Sequence, residues 1–388
     1  MHVAHVTLLA YRSDPNGVAT QIRMLREDTH ATGRVSCLTP HHDSDTPATL
    51  WATLARRVRR LPTLRGWRDR LALACYCLDL RAKVARVARR YERVVFHAHD
   101  VLSAAAVLGA GQSVVLTCHF HSLPHIEFYR GKLFARHSLA GRLLRRLVYA
   151  VLRDPRVLPV AISGRNRTIL GRVGRADVPV AYPGVVAAGE IQNHLRTHAS
   201  PGPITMINVG SPGRRKNQRA LVLLARELER SFDHFRILIV GREEEPGAIA
   251  SIERLARELG VSHRIVCTGP RSPRVVRRLI RRSRVYLQSS KSESFGIAPL
   301  EAVSEGVPAL ALDQPAAREI LPASAILPRE DFSRRTATKL LELFSSHERR
   351  SRLWTVQVGR VRDLFSAEAT RRAYRTIYHN FNATGATP

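Results

Sequence analysis

Twice along this chain, short apolar runs that read as strands alternate with amphipathic runs that read as helices, and the alternation restarts after a polar break. In the first series His2 to Leu9 reads as a strand, Asn16-Gly17 as a loop, Val18 to Thr29 as a helix and Arg34 to Leu38 as a second strand. Val94 to Ala98, Ser113 to Cys118, Val157 to Ile162 and Val178 to Tyr182 are expected to add further strands. The second series predicts strands at Ile204 to Val209, Arg236 to Val240, Arg264 to Cys267 and Val285 to Leu287, with helices at Gln218 to Arg230, Ile252 to Leu259 and Pro273 to Arg282 between them. Strands that are apolar throughout and separated by helices pair as a parallel sheet covered on both faces. Two such series in 388 residues predict an α/β protein of two Rossmann-like domains. Glu190 to Pro203, polar and ending Ser-Pro-Gly-Pro, reads as the linker, which puts the domains at 1–190 and 191–364. Phe365 to Phe381, rich in tyrosine, reads as a terminal amphipathic helix.

The segment most informative about chemistry is Lys291 to Pro308, KSESFGIAPLEAVSEGVP. It puts Glu293 in a loop, a tight turn at Ser294-Phe295-Gly296, and Glu301 one turn into a helix. Pro299 suits the first helical turn, where a missing N–H costs nothing, and Gly306 with Pro308 stops the helix. The helix start would offer backbone amides near Phe295, Gly296 and Ile297, and such amides attract phosphate. Carboxylates on either side repel phosphate but accept hydrogen bonds from hydroxyls. A ligand carrying both a phosphate and vicinal diols satisfies both requirements, which describes a sugar nucleotide.

Ser290, Glu293, Ser294, Phe295, Gly296, Glu301, Ala302, Gly306 and Pro308 together resemble the signature of the family-4 (group 1) retaining glycosyltransferases of the GT-B fold. The resemblance runs over essentially the whole chain. FHAHD (Phe96 to Asp100) and LTCH (Leu116 to His119) are similar to the family's two strand ends in the N-terminal domain. The resemblance implies two Rossmann-like domains facing across a cleft, with residues 365–388 crossing back to pack on the N-terminal, acceptor-side domain. It implies transfer of a sugar, of the hexosyl type and with retention, from a nucleotide-diphospho-sugar to a hydroxyl of a glycan or lipid-linked acceptor. No metal and no cofactor is expected beyond that co-substrate. Among catalytic residues, His119 would face the donor sugar with His97 or His99 nearby, Glu293 would hold sugar hydroxyls, and Lys216 would hold the leaving diphosphate. Glu301 would take the ribose diol, and Ser294, Phe295, Gly296 and Ile297 would form the phosphate turn. Pro270, in Thr268-Gly269-Pro270, would lie beside the base, and Gly17 would touch the diphosphate. Gly210 and Lys216 match the family's glycine and lysine, but Ser211 stands where the family has an arginine. Arg214 or Arg215 could replace it with altered geometry, which matters because arginine and lysine are not equivalent phosphate ligands.

The chain carries 62 Lys and Arg against 32 Asp and Glu, a formal charge of +30. The excess concentrates between Trp51 and Arg153, with 20 basic residues against 5 acidic. Such a field favours polyanionic partners. Arg56, Arg57, Arg59 and Arg60 around Leu54, Val58 and Leu61, near Trp67, and Leu139, Leu143, Leu147 and Val151 with Arg142, Arg145 and Arg146 between them, fit an anionic membrane surface or core-facing helices with a solvated arginine face. Nucleic acid is not expected as a partner, because no aromatic-basic interleaving of a known module appears. Five cysteines without framework spacing, and no apolar leader after Met1, make a cytoplasmic location the expectation, and the basic segments make it a peripheral one at the inner membrane face. The competing readings are a basic nucleic-acid- or membrane-binding GT-B homologue with weak or no activity, and a sugar-nucleotide epimerase.

Overall fold

The computed structural model describes residues 1–8, 17–28, 34–41, 44–60, 65–130, 133–175, 177–185, 195 and 203–383. The expected linker, Glu190 to Pro203, lies outside the described residues except for 195 and 203, as does Asn16. The chain forms two compact units, Met1–Gly184 with Thr370–Pro388, and Val185–Ala369.

In the first unit, β1 (His2–Val6), β2 (Arg34–Leu38), β3 (Val94–Ala98), β4 (Val114–Cys118) and β5 (Val157–Ala161) form one parallel sheet in the order β2-β1-β3-β4-β5. Among the described residues its helices are α1 (Gly17–Arg26), α2 (Leu50–Arg59), α3 (Arg65–Arg90), α4 (Val101–Gly109), α5 (Pro124–Arg130), α6 (Leu139–Arg153) and α7 (Gly164–Gly171), joined by a terminal helix described below. Register gives the two faces of this sheet opposite characters. Ala4, Val6, Phe96, Ala98, Val114, Leu116 and Cys118 face one way, into an apolar core. That core also takes Leu80, Val84 and Val87 of α3, Leu102, Ala104, Ala106 and Val107 of α4, and Leu144, Val148, Val151 and Leu152 of α6. Since strand side chains alternate, the other face carries His5, His97, Thr117 and, just past the strand ends, His99 and His119.

Two further local rules hold this unit together. Asp100 caps α4, accepting from Ser103 N at 2.7 Å and Ser103 Oγ at 2.6 Å. Thr49 caps α2 and is itself anchored to Asp79 of α3, whose carboxylate pairs at 3.0 Å with Lys83. That pair is wholly buried, and Lys83 also donates to Thr39 O at 2.6 Å, so neither charge is left uncompensated.

The second unit contains a six-stranded parallel sheet ordered β11-β10-β9-β6-β7-β8, with β6 at Ile204–Val209, β7 at Phe235–Val240, β8 at Ile265–Gly269, β9 at Val285–Gln288, β10 at Ala309–Leu312 and β11 at Ile326–Leu327. Its helices are α8 (Arg219–Glu229), α9 (Ala248–Glu258), α10 (Pro273–Arg281), α11 (Ile297–Ser304), α12 (Pro315–Ile320), α13 (Phe332–Ser345) and α14 (His347–Leu364). The terminal helix α15 (Ala367–Ala383) returns to the first unit, where it and α1 cover the histidine face of the sheet and its Tyr374 and Tyr378 are buried.

Two expectations are corrected. Val178 to Tyr182 is not a strand: only an isolated bridge joins Val180 to Ala161, because Pro179 and Pro183 lack the donors that a ladder needs. The apolar series Leu139, Leu143, Leu147 and Val151 is also not one face. Val151 is in the core, while Leu139, Leu143 and Leu147 are 66%, 52% and 39% exposed, because Leu144 and Val148 take the inward positions.

Candidate active site

In the second unit, the loops after the strands converge at the carboxyl edge of the sheet, the place where open α/β sheets bind ligands. Gly210 follows β6, Gly241 follows β7, and Gly241 N donates to Gly269 O at the end of β8. A Cβ on Gly241 would stand 2.4 Å from Gly210 O, so these loops approach more closely than any other residue allows.

Glu293, in the loop after β9, is the hub. It is 4% exposed and accepts from Lys216 Nζ at 2.7 Å, from Arg215 at 3.2 Å and from Gln288 Nε2 at 2.9 Å. Burial alone pushes its pKa up, but the Lys216 charge and hydrogen bond, with help from Ser290 and Arg215, outweigh it and hold Glu293 below the ordinary carboxylate value. Gln288 is oriented in turn by the buried Tyr286, whose hydroxyl lies 2.9 Å from Gln288 Oε1. The loop bearing the cations is tied down by backbone: Lys291 N donates to Arg215 O, and Ser289 Oγ to Lys216 O.

Past Glu293 the chain turns at Gly296, which takes φ +91° and caps α11 with no side-chain hydrogen bond. Ile297, Ala298 and Pro299 make the first turn of α11, which ends at a left-handed Gly306. Glu301, half-buried on this helix, has its pKa raised by burial, against the pull of Arg277 and with a small push from Glu305. The carboxylates thus sit in different electrostatic surroundings: Glu293 is clamped by cations, and Glu301 is short of them.

Arg215 and Arg214, alternatives for the missing family arginine, are separated by the structure. Arg215 bridges Glu293 and Glu244, while the Arg214 side chain is 95% exposed and 3.7 Å from Glu245. Pro270 is exposed at the end of β8, and Ser294 and Ile297 are half-buried beside the Gly296 turn. A separate cavity of about 600 Å³, lined by Arg214, Asn217, Gly247 and Lys291 among others, includes neither Glu293 nor Glu301.

The corresponding edge of the first unit is built from uncharged groups. Register sets His5 beside His97. His5 Nδ1 lies 3.0 Å from His99 Nε2, and His99 Nδ1 lies 3.3 Å from His119 Nε2. His97 is bonded at both ring nitrogens, to Tyr378 OH at 2.7 Å and to Thr117 Oγ1 at 2.6 Å, and Thr117 continues to Tyr374 OH at 2.6 Å. Burial keeps these rings neutral: the pKa falls to about 3 at His5 and about 4 at His119, and well below the ordinary value at His97 and His99. His119 opens, with His99 and Thr117, onto a cavity of about 670 Å³ whose walls include Leu102, Phe120 and Phe128. Among the described residues, His5, His97 and His99 are the one group with ligand atoms close enough, within 4.8 Å, to share a metal ion. Both nitrogens of His97, both of His99 and Nδ1 of His5 already have hydrogen-bond partners. Gly17, expected at the donor diphosphate, is the exposed first residue of α1, with open space where a side chain would be.

Sequence reasoning missed Gln288 and the histidine partners Thr117, Tyr374 and Tyr378. Gln288 left a signal, a polar side chain closing the apolar run Val285-Tyr286-Leu287. The tyrosines left none, because they meet His97 and Thr117 across more than 250 residues of chain.

The family described as glycosyl transferases group 1 matches residues 191–353. A D-inositol 3-phosphate glycosyltransferase of Nocardia farcinica (strain IFM 10152) is 33% identical over 142 residues, which is 36% of this chain and 31% of that relative. The match therefore spans about a third of the curated relative's length. Among solved structures, sucrose-phosphate synthase from Thermosynechococcus elongatus superimposes with a TM-score of 0.73 at 17% identity, covering 99% of this chain and 100% of that one. HepE of Anabaena, solved in complex with UDP, gives 0.69 at 15% identity over 98% and 100%. WaaG, a glycosyltransferase involved in lipopolysaccharide biosynthesis, gives 0.62 at 15% over 99% and 98%. These likenesses establish the GT-B fold. Among the described residues, no helix is long and apolar enough to cross a membrane.

Proposed function

We propose, from the match of residues 191–353 to the group 1 glycosyl transferases and from the GT-B fold, that this protein moves a sugar from a nucleotide-diphospho-sugar to an acceptor hydroxyl, with retention and without a metal. The observation that carries this reading is the buried Glu293 clamped by Lys216 and Arg215 beside the uncapped first turn of α11.

Two cations held by two carboxylates, Lys216 and Arg215 on Glu293 and Arg215 also on Glu244, form a preassembled diphosphate site whose charge is balanced until the donor arrives. The diphosphate then competes with Glu293 for Lys216 and Arg215, and the backbone amides at the start of α11 add to its binding. Glu293, released from the cations, accepts hydrogen bonds from the sugar hydroxyls. Glu301, with no cation bound directly to it among the described residues, takes the ribose diol, since hydroxyls donate without needing a counter-charge. Arg215 supplies the guanidinium that the family places at the position of Ser211.

In the transfer step the acceptor oxygen forms a bond to the anomeric carbon as the bond to the diphosphate oxygen breaks on the same face. The acceptor proton passes to the departing diphosphate. Lys216, Arg215 and the helix amides stabilise the charge that develops there, a contribution worth about 10²–10³ in rate per donor in comparable sites. His119, neutral and facing its cavity, is suited to hydrogen-bond a sugar hydroxyl without repelling a cationic transition state.

Incubation with a panel of nucleotide-diphospho-sugars, following nucleotide-diphosphate release with and without acceptor, tests the reading. One donor should be turned over, its product should keep the anomeric configuration by NMR, and turnover should persist in EDTA. Inversion, or loss in EDTA with rescue by Mn²⁺ or Mg²⁺, would contradict it.

A further inference from the structure

A second polar cavity lies in the first unit, away from the histidine edge. It has a volume of about 710 Å³ and is lined by His125, Tyr129, Arg136, His137, Arg142 and Arg145. His125 and Tyr129 come from α5, Arg142 and Arg145 from α6, and Arg136 and His137 from the segment entering α6. Among the described residues none of the three arginines has a carboxylate partner. His125 is 6% exposed, lies in this wall, and its Nδ1 has no hydrogen-bond partner among the described residues. That nitrogen is shielded from the cavity, which leaves Nε2 as the ring nitrogen able to meet an occupant.

The wall is built rather than incidental. Tyr129 OH donates to Gly141 O at 2.7 Å, joining α5 to α6. A Cβ on Gly141 would lie 2.2 Å from Ala135 O, so only glycine lets the entering segment press against the helix and hold Arg136 and His137 at the rim. Burial and the Arg145 charge lower the His125 pKa, which keeps the ring neutral with one N–H to give.

The occupant is indicated by the rest of α6. Leu139, Leu143 and Leu147 stand exposed in one row, four residues apart, beside the arginines of the cavity. A cationic pocket calls for a compact anion, and three leucines in a row next to it call for apolar chains. We propose that this cavity binds the terminal phosphomonoester of a membrane lipid headgroup, which a phosphodiester headgroup lacks, with Leu139, Leu143 and Leu147 entering the interface beside it. The same helix α5 turns Glu127 and Phe128 to the His119 cavity, so the headgroup would sit back-to-back with that cavity across one helix. The donor chemistry of the second unit plays no part in this binding.

Vesicle sedimentation of the full chain tests it, using phosphatidylcholine doped with phosphatidic acid or with phosphatidylserine at matched surface potential. A phosphate pocket predicts at least tenfold tighter binding to phosphatidic acid, whereas diffuse charge attraction predicts no difference. The double variant Arg142→Gln/Arg145→Gln should lose that preference, and His125→Phe, which keeps a ring but removes its nitrogens, should weaken it. Leu139→Ser/Leu143→Ser/Leu147→Ser should weaken binding to both vesicles. Unchanged nucleotide affinity in each variant verifies the fold separately from the lipid result. Equal binding to the two vesicles, or a preference that survives in Arg142→Gln/Arg145→Gln, would overturn the proposal. Binding of inorganic phosphate without binding to phosphatidic acid vesicles would overturn its lipid part.

Discussion

The two units place polar groups at the same location, the carboxyl edge of a parallel sheet, and stabilise them by opposite means. In the first, four histidines, a threonine and two tyrosines form two hydrogen-bonded chains, His5–His99–His119 and Tyr378–His97–Thr117–Tyr374, and burial keeps the rings uncharged. In the second, a buried carboxylate is held ionised by two cations. A neutral network can meet hydroxyls but gains little from an anion. A charge-balanced cluster can exchange one anion for another without leaving a cation bare. The division suits the proposed transfer, which has to handle sugar hydroxyls as well as a diphosphate.

The largest effect should come from unbalancing the charged edge. Lys216→Met should cut turnover by about 10²–10³ through lost stabilisation of the leaving diphosphate. Arg215→Gln should cut it comparably, and Arg214→Gln, whose parent side chain points into solvent, should stay within about twofold. Steady-state kinetics on the three variants separates them; equal losses at Arg214 and Arg215 would remove the assigned distinction.

Acid should act mainly on the neutral edge. His5, His97, His99 and His119 titrate below the ordinary value of 6.5 when folded, to about 3 for His5 and about 4 for His119. The unfolded chain therefore binds more protons below pH 6.5. The stabilisation is fully present above that pH and is lost as pH falls toward the folded values, by about 1.4 kcal/mol per pH unit for each histidine. Hydrogen exchange corrected for intrinsic rates should show β1, β3 and β4 losing protection between pH 6.5 and 4.5 before β6 and β9 do. Simultaneous loss would mean that the histidines do not govern it.

A smaller effect is expected at the terminal helix. Tyr378→Phe removes the hydroxyl from His97 Nδ1 inside a buried network and should cost about 1–2 kcal/mol in chemical denaturation. A neutral result would show that α15 is held by its other contacts, such as Arg375 on Asp28.

How much of this was legible follows from how far apart the interacting residues lie. The Glu293 to Glu301 segment is local, so the tight turn at Gly296, the helix start and the stop at Gly306 could each be read from neighbouring residues. Lys216 could be read only by resemblance, since its bond to Glu293 spans 77 residues. The choice between Arg214 and Arg215 depended on backbone direction in a loop, which spacing does not encode. Val178 to Tyr182 misled because its composition is apolar while its prolines forbid a ladder. On α6, spacing alone left the leucines four residues apart open to either a membrane surface or the core, because a helix of this amphipathicity has two such rows, and Leu144 with Val148 took the core.

The most direct test is calorimetric titration of the released nucleotide diphosphate into wild type, Glu301→Ala and Glu293→Ala. Glu301→Ala should weaken binding by one to two orders of magnitude, about 1.4–2.7 kcal/mol, through loss of the ribose diol's acceptor. Glu293→Ala should bind as tightly as wild type or more tightly, because Lys216 and Arg215 are freed for the diphosphate, while its turnover collapses. Wild-type affinity in Glu301→Ala, or loss of nucleotide binding in Glu293→Ala, would contradict the division of roles between the two carboxylates.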